Sequence, residues 1–188
     1  MNFNAIIEKQ LQVFPTRLKP FIHPSTQISG MERTWRYFAF AYERGFEVLA
    51  EECCRSYPNQ SYLVVPLMQL ARHSMELALK SALNECNEVY GAGLATDKHG
   101  LVALYDRLDG FLISYSMIQK ADPWADSTRK VLVHFDKVDS TGMVFRYPTD
   151  LTGVPFDAFE IDIEELIIAH QNVMLLADAT VSMLNEGA

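Results

Sequence analysis

The chain has 188 residues, of which 49% are hydrophobic and 21% are charged. This composition is typical of one soluble globular domain that buries a sizeable core. The formal net charge of -8 disfavours a general nucleic-acid binder, because it repels the phosphate backbone at long range. Contact with RNA or DNA would therefore need a local basic patch or an ordered pocket.

Cysteine usage and the N-terminal residues indicate the compartment. Cys53, Cys54 and Cys86 show no metal-ligand spacing, so we expect a reduced, cytoplasmic protein with no metal and no cofactor. The N-terminus has no basic stretch followed by an apolar run, and no segment approaches about 18 unbroken apolar residues. The sequence therefore predicts neither secretion nor a membrane partner.

The first 30 residues differ from the rest of the chain. Three prolines and a glycine punctuate them, which predicts one short helix near residues 3–12 followed by an irregular lead-in. We therefore expect an N-terminal arm over residues 1–30 and a single helical-bundle domain over residues 31–188.

Apolar residues at intervals of three and four predict two long helices at the start of that domain. The first covers residues 31–55, and the second covers about 60–89 and has apolar surface on more than one side. Such a helix fits the centre of a bundle. Pro66 implies either a kink or a later start of the second helix.

Three further helices are predicted from capping residues and apolar periodicity. Asp97 is the expected N-cap of a helix over about 98–118, and Asp122 followed by Pro123 announces one over about 123–137. Asp162, with two glutamates close behind it, begins a last helix that runs to about Leu184.

Residues 140–159 are richer in Gly, Pro and Asp, so a loop or a small two-stranded β-ribbon is expected there. Four or five helices of this length, joined mostly by short connections, predict an all-α fold, an antiparallel helical bundle with this short insertion.

The second long helix carries charges within the stretch LARHSMELALKSAL. Arg72, Glu76 and Lys80 are each four residues apart, so a ladder of ion pairs along one helix face is geometrically natural. The simpler interpretation is a structural ion network. The alternative is that Arg72 or His73 faces a polar groove.

Two more residues are candidates for ligand binding. His99 lies at an expected helix start, where a lone histidine usually caps or packs. Arg146, in the VFRYPTD loop, has a planar guanidinium suited to a carboxylate or phosphate, or to tying the loop to a bundle carboxylate. A nucleotide or small-anion pocket lined by Arg72, His73, His99 and Arg146 would require these four side chains to converge.

Three stretches together resemble a known family. The combination of RHSMELALKSAL, KHGLVALYDRL and RKVLVHFDKVD, with an FRYPTD loop, is similar to the HEPN superfamily over about residues 60–185. The resemblance rests on Arg72 to Lys80, His99 to Tyr105 and Phe145 to Asp150. It implies an all-α bundle, usually dimeric, in which active members cleave RNA without a metal.

The resemblance also implies a catalytic pair, because active members carry an Arg, four to six residues, and then a His near the start of a late helix. Arg129 and His134 fit that spacing. The family role of the His is proton transfer at the 2′-hydroxyl, and that of the Arg is to hold the scissile phosphate. On an ideal helix the two point roughly 140° apart, so they would meet only at a helix end or across a dimer.

Two functions therefore stand beside the anion pocket. The first is a HEPN-like binding or interaction module without catalysis, in a toxin–antitoxin, phage-defence or stress setting, with RNA, a nucleotide or a protein as partner. The acidic charge and Lys130, where the family commonly has Asn, Asp or His, favour it. The second is a metal-independent endoribonuclease that uses Arg129 and His134 across a homodimer.

The alternative to a catalytic His134 is that the VLVHF stretch is the apolar seam of its helix. His134 would then be a buried, hydrogen-bonded residue.

Overall fold

The computed structural model describes residues 2–12, 33–56 and 61–186, and these residues form an all-α bundle. The helices are α1 (Phe3–Gln12), α2 (Trp35–Ser56), α3 (Val64–Tyr90), α4 (Leu101–Ser114), α5 (Pro123–Val138) and α6 (Ile163–Glu186), with a short 3-10 helix at Ser61–Leu63 before α3. The predicted all-α bundle is confirmed. The expected irregular lead-in after α1 lies outside the described residues.

Helix α3 is the central element and packs against α2, α4 and α6. Ser74 lies beside His170, and four residues further along Ala78 joins Met174 and Ala177 in one apolar cluster, so α3 and α6 run parallel. Helix α2 runs antiparallel to both, since Phe46 stacks on His170 whereas Arg36, ten residues earlier, pairs with Asp178, eight residues after His170. This central position explains why α3 is apolar on more than one side.

The two ends of α3 follow from local chemistry. Pro66 is the third residue of the helix, where a missing backbone N–H costs nothing because the first turn has no acceptor for it. At the other end Gly91 has a φ of 62°, and its N–H donates to the Asn87 carbonyl. Only glycine adopts this left-handed backbone readily, so it ends the helix cleanly.

Helix α4 begins at a cap that comes from another helix. Asp97 does not cap α4, so that prediction is wrong; the helix starts only at Leu101. Instead the Asp136 carboxylate of α5 accepts hydrogen bonds from the Leu101 and Val102 N–H groups at 3.2 and 3.0 Å. By contrast, Asp122 caps α5 as predicted, accepting from the Trp124 and Ala125 N–H groups.

Replacing Asp136 by alanine is expected to lower the free energy of unfolding by about 1–2 kcal/mol, the usual cost of a lost N-cap. Two N–H groups of α4 lose their acceptor, and a link between α4 and α5 is lost with them. Urea denaturation measures the change. Asp126→Ala, on the exposed side of α5, is the matched control, and an equal loss in both variants would contradict the role of Asp136.

Residues 139–162 form a loop rather than a ribbon. Within this described segment the β structure is limited to one isolated antiparallel bridge between Thr149 and Pro155. The strand-like apolar residues instead tie the loop to the bundle: Phe145 belongs to the same apolar core as residues of the helices, and Phe159, which meets Phe145 edge to face at 5.5 Å between ring centroids, packs against that core. The loop is thereby held over α3.

Helix α6 is long and apolar enough to span a membrane by length and composition, with a hydropathy of 1.3 over its most apolar window. In the bundle 44% of that window is buried, and one such helix is weak evidence for a membrane span. The expectation of no membrane partner stays a prediction.

Candidate functional site

The charged residues of α3 form a buried network centred on Arg72, whose side chain is 1% exposed. Its Nε donates to the Asp139 carbonyl at 3.1 Å, and its Nη2 donates to the His99 carbonyl at 2.8 Å. Its Nη1 donates to Glu76 Oε2 at 3.1 Å. Every guanidinium nitrogen of Arg72 therefore has a partner inside the protein.

Glu76 is the anion that joins the rest of the network. Lys80 Nζ and His99 Nδ1 each lie 2.9 Å from Glu76 Oε1. Burial by itself raises the pKa of Glu76, but the hydrogen bonds from Lys80 and His99 outweigh it and hold the pKa below its ordinary value. Glu76 is thus a stable carboxylate, and His99 donates to it through Nδ1 because a carboxylate only accepts.

The network also fixes the two segments that cover α3. Arg72 reaches the segment before α4 through His99 and the segment after α5 through Asp139, whose Oδ2 lies 3.6 Å from Arg72 Nε. The backbone of Gly142 passes so close to the Arg72 guanidinium that a Cβ there would lie 3.0 Å from Nη1. Its φ of +77° is also one that glycine adopts most readily. The structure therefore favours the interpretation of this ladder as a structural ion network.

The other two candidate ligand residues lie apart from Arg72. His73 packs edge to face on Tyr42 at 4.4 Å, and its buried Nδ1 has no hydrogen-bond partner among the described residues. Burial lowers the pKa of His73, and the nearby charge of Arg146 lowers it further. Arg146 itself is exposed and forms no ion pair with a described residue.

The four residues proposed for an anion pocket are therefore only partly brought together. Arg72 and His99 meet at Glu76, whereas His73 is directed towards α2. Since each guanidinium nitrogen of Arg72 has a partner inside the protein and the side chain is 1% exposed, an incoming phosphate would have to displace a carboxylate or a carbonyl. None of the four lines either of the two surface hollows described for this bundle.

Arg129 and His134 lie on the exposed side of α5, where they line an open hollow of about 550 Å³. The whole lining comes from α5: Asp126, Arg129, Lys130, Val133, His134 and Lys137. Three cations and one imidazole thus line the hollow against one carboxylate, and because Arg129 is paired with Asp106, Lys130 and Lys137 are the cations of this face that form no ion pair with a described residue.

The Arg129 guanidinium is turned towards α4 and donates two hydrogen bonds to the Asp106 carboxylate, from Nε at 2.7 Å and from Nη2 at 3.0 Å. The pair raises the pKa of Arg129. His134 is exposed and forms no hydrogen bond within the described part of the chain, so its interpretation as a buried seam residue is wrong. Both residues border one hollow without touching each other.

Helix α6 contributes a histidine that the sequence analysis did not single out. His170 is 3% exposed, its Nε2 lies 2.7 Å from Ser74 Oγ, and its ring stacks on Phe46 at 3.8 Å. Burial lowers the pKa of His170 to about 4. The ring is therefore neutral in the folded protein, and no substrate can reach it.

Together the fold and these sites define an all-α bundle protein with a buried ion network in its centre and an exposed basic helix face. No protein-family model, no curated protein and no solved structure matches the chain. Among the described residues, no group of three or more His, Cys, Asp or Glu side chains is placed to hold a metal ion.

Proposed function

We propose that the protein is a HEPN-like helical binding module that holds an anionic ligand, RNA in the first instance, on the exposed face of α5 without cleaving it. The observation that carries the proposal is the hollow lined by Arg129, Lys130, His134 and Lys137. An acidic chain needs such a local patch before it can approach a phosphate backbone.

The openness of this face supports binding rather than catalysis. Proton transfer at a 2′-hydroxyl needs a base and a phosphate-binding cation aimed at one reacting group. In the bundle Arg129 is held by Asp106, and none of the described residues orients the His134 ring through a hydrogen bond. The surface offers charge without a fixed reaction geometry.

A metal-independent endoribonuclease is the second candidate. It is favoured by the placement of Arg129 and His134 on one hollow, where the imidazole forms no hydrogen bond with any described residue. Cleavage would still require Arg129 to exchange Asp106 for a phosphate, or a second chain to supply the missing cation.

Binding and cleavage of a fluorescein-labelled single-stranded RNA, with EDTA present, test both candidates. We expect the wild type to shift the fluorescence anisotropy at low salt and to leave the RNA intact. Lys130→Ala combined with Lys137→Ala should weaken binding by about tenfold and flatten its salt dependence, because each phosphate contact contributes about one unit of slope.

Arg55→Ala is the matched control, because Arg55 is an exposed cation on α2, a helix that packs against α3 and α6 rather than α5, and should leave binding unchanged. RNA cleavage that disappears in both Arg129→Ala and His134→Ala would instead establish the ribonuclease. Equal cleavage by wild type and variants would indicate contamination. The absence of any RNA binding would refute both candidates.

A further inference from the structure

The His99 imidazole is held at one nitrogen and open to solvent at the other. Its Nδ1 lies 2.9 Å from Glu76 Oε1, and its side chain is 69% exposed. Because a carboxylate only accepts hydrogen bonds, Nδ1 carries the hydrogen and Nε2 carries the lone pair of the neutral ring. Nε2 forms no hydrogen bond with any described residue. The ring therefore presents a nucleophilic nitrogen to solvent.

The Glu76 carboxylate behind the ring is already neutralised without His99. Arg72 Nη1 donates to Oε2 at 3.1 Å, and Lys80 Nζ donates to Oε1 at 2.9 Å. The Lys80 ammonium also lies 5.7 Å from the centre of the Trp35 ring, a distance at which a cation is attracted to the aromatic face. Two cations thus balance one buried anion, and ion pairing alone does not account for a third, mostly exposed partner.

The position of the His99 backbone is fixed as well. Arg72 Nη2 donates to the His99 carbonyl at 2.8 Å, and two residues further on the Leu101 N–H donates to Asp136 at 3.2 Å. A carboxylate that accepts from one ring nitrogen fixes the tautomer and the ring orientation, and it makes the opposite nitrogen more basic. His99 is therefore oriented before any reaction partner arrives.

No other described histidine combines these two properties. His134 is exposed, but its ring forms no hydrogen bond with a described residue. His170 is 3% exposed, and the Nδ1 of His73 is buried without a partner among the described residues. His134 is thus the natural internal reference for the reactivity of His99, since both rings reach solvent and only one is oriented.

We propose that His99 is a phosphoryl-acceptor residue, whose Nε2 takes a phosphoryl group from an activated donor, an acyl phosphate or a phosphoramidate. The Nε2 lone pair attacks phosphorus and forms the N–P bond. The bond from phosphorus to the leaving group breaks with its electron pair, which departs as a carboxylate from an acyl phosphate or as the neutral amine from a protonated phosphoramidate. The hydrogen stays on Nδ1, so the ring becomes positively charged, and Glu76 stabilises that charge from 2.9 Å.

The open surroundings of His99 favour this chemistry over hydrolysis of a bound substrate. His99 lines neither hollow found on the described surface, so no wall of the bundle holds a substrate against its ring. A phosphoryl donor needs only an in-line approach to the accepting nitrogen. The site is also separate from the basic hollow on α5, so phosphoryl acceptance and RNA binding can each fail without the other.

Parallel incubations of the full chain with phosphoramidate and with acetyl phosphate, at about pH 8 where an ordinary imidazole is neutral, test the proposal. Phosphorus-31 NMR identifies the phosphorylated nitrogen, and peptide mapping at neutral pH identifies the histidine. We expect Nε2-phosphohistidine at His99 to form about tenfold faster than at His134 with at least one donor, because only His99 is oriented. The donor that reacts faster then identifies the donor class.

His99→Asn should abolish the fast reaction while its amide still donates to Glu76, and His134→Asn is the matched control that should keep it. Glu76→Gln should lower the His99 rate towards that of His134. A comparison that needs no variant is the wild type in denaturing urea, where both histidines should react equally. Equal rates at His99 and His134 in the folded chain overturn the proposal, and so does a fast reaction that survives His99→Asn. Phosphorylation of His99 on Nδ1, or no phosphohistidine with either donor, also overturns it.

Discussion

Replacing Arg72 by alanine is expected to lower the free energy of unfolding by about 3–5 kcal/mol, the usual cost of removing one partner of a buried ion pair. Glu76 would lose a cation, and the carbonyls of His99 and Asp139 would lose their donors. Both segments that cover α3 would be released at once. This loss is a large part of the roughly 5–15 kcal/mol that holds a typical domain folded.

Urea denaturation followed by circular dichroism measures this effect. Arg72→Lys should fall between wild type and alanine, because lysine keeps the charge but not the planar fork that serves three acceptors. Arg72→Lys also allows the stability to be compared with that of the wild type if Arg72→Ala does not fold. Arg55→Ala, which removes an exposed pair with Glu51, is the control and should cost less than about 1 kcal/mol.

Acid is expected to weaken the fold through His170. The pKa of His170 is lowered from 6.5 to about 4 in the folded protein. Between pH 6.5 and pH 4, His170 is therefore protonated in the unfolded chain but neutral in the folded chain. Stability is therefore complete above about pH 6.5 and falls as the pH drops towards 4. The contribution of His170 to this loss is about 3 kcal/mol, at 1.36 kcal/mol per pKa unit.

The measurement is the free energy of unfolding from pH 7 to pH 4 in wild type and His170→Phe. Phenylalanine can stack on Phe46 without titrating, and Ser74 Oγ still has the Leu70 and Ala71 carbonyls as acceptors. The variant should lose less stability on acidification, whereas His134→Ala, at an exposed site, should follow the wild type. Parallel curves for all three proteins would show that His170 is not the sensitive group.

The helices themselves were predictable, because their signals are local. Apolar periodicity and the cap at Asp122 gave α5 to within about one residue, and the four-residue spacing of Arg72, Glu76 and Lys80 predicted the ladder that the bundle contains. Such features depend on residues within one or two turns of each other.

The features that the sequence did not predict join residues far apart in the chain. The cap of α4 comes from Asp136, 35 residues beyond Leu101, and Arg129 is held by Asp106, 23 residues before it. His170 is neutral because Phe46 and Ser74 enclose it, yet its own neighbours in sequence carry no sign of this. The pairing of Arg129 and the protonation of His170 are therefore set by tertiary packing, which the local sequence does not show.

Because the cap of α4 comes from α5, the formation of α4 depends on the formation of α5. While α5 is still unstructured, the first turn of α4 has two N–H groups without their acceptor, so its helix starts at a disadvantage. Because closing a loop costs entropy before the cap repays it, α4 and α5 gain stability as one cooperative unit. A fragment that ends before Asp136 would lack the means to begin α4 at Leu101.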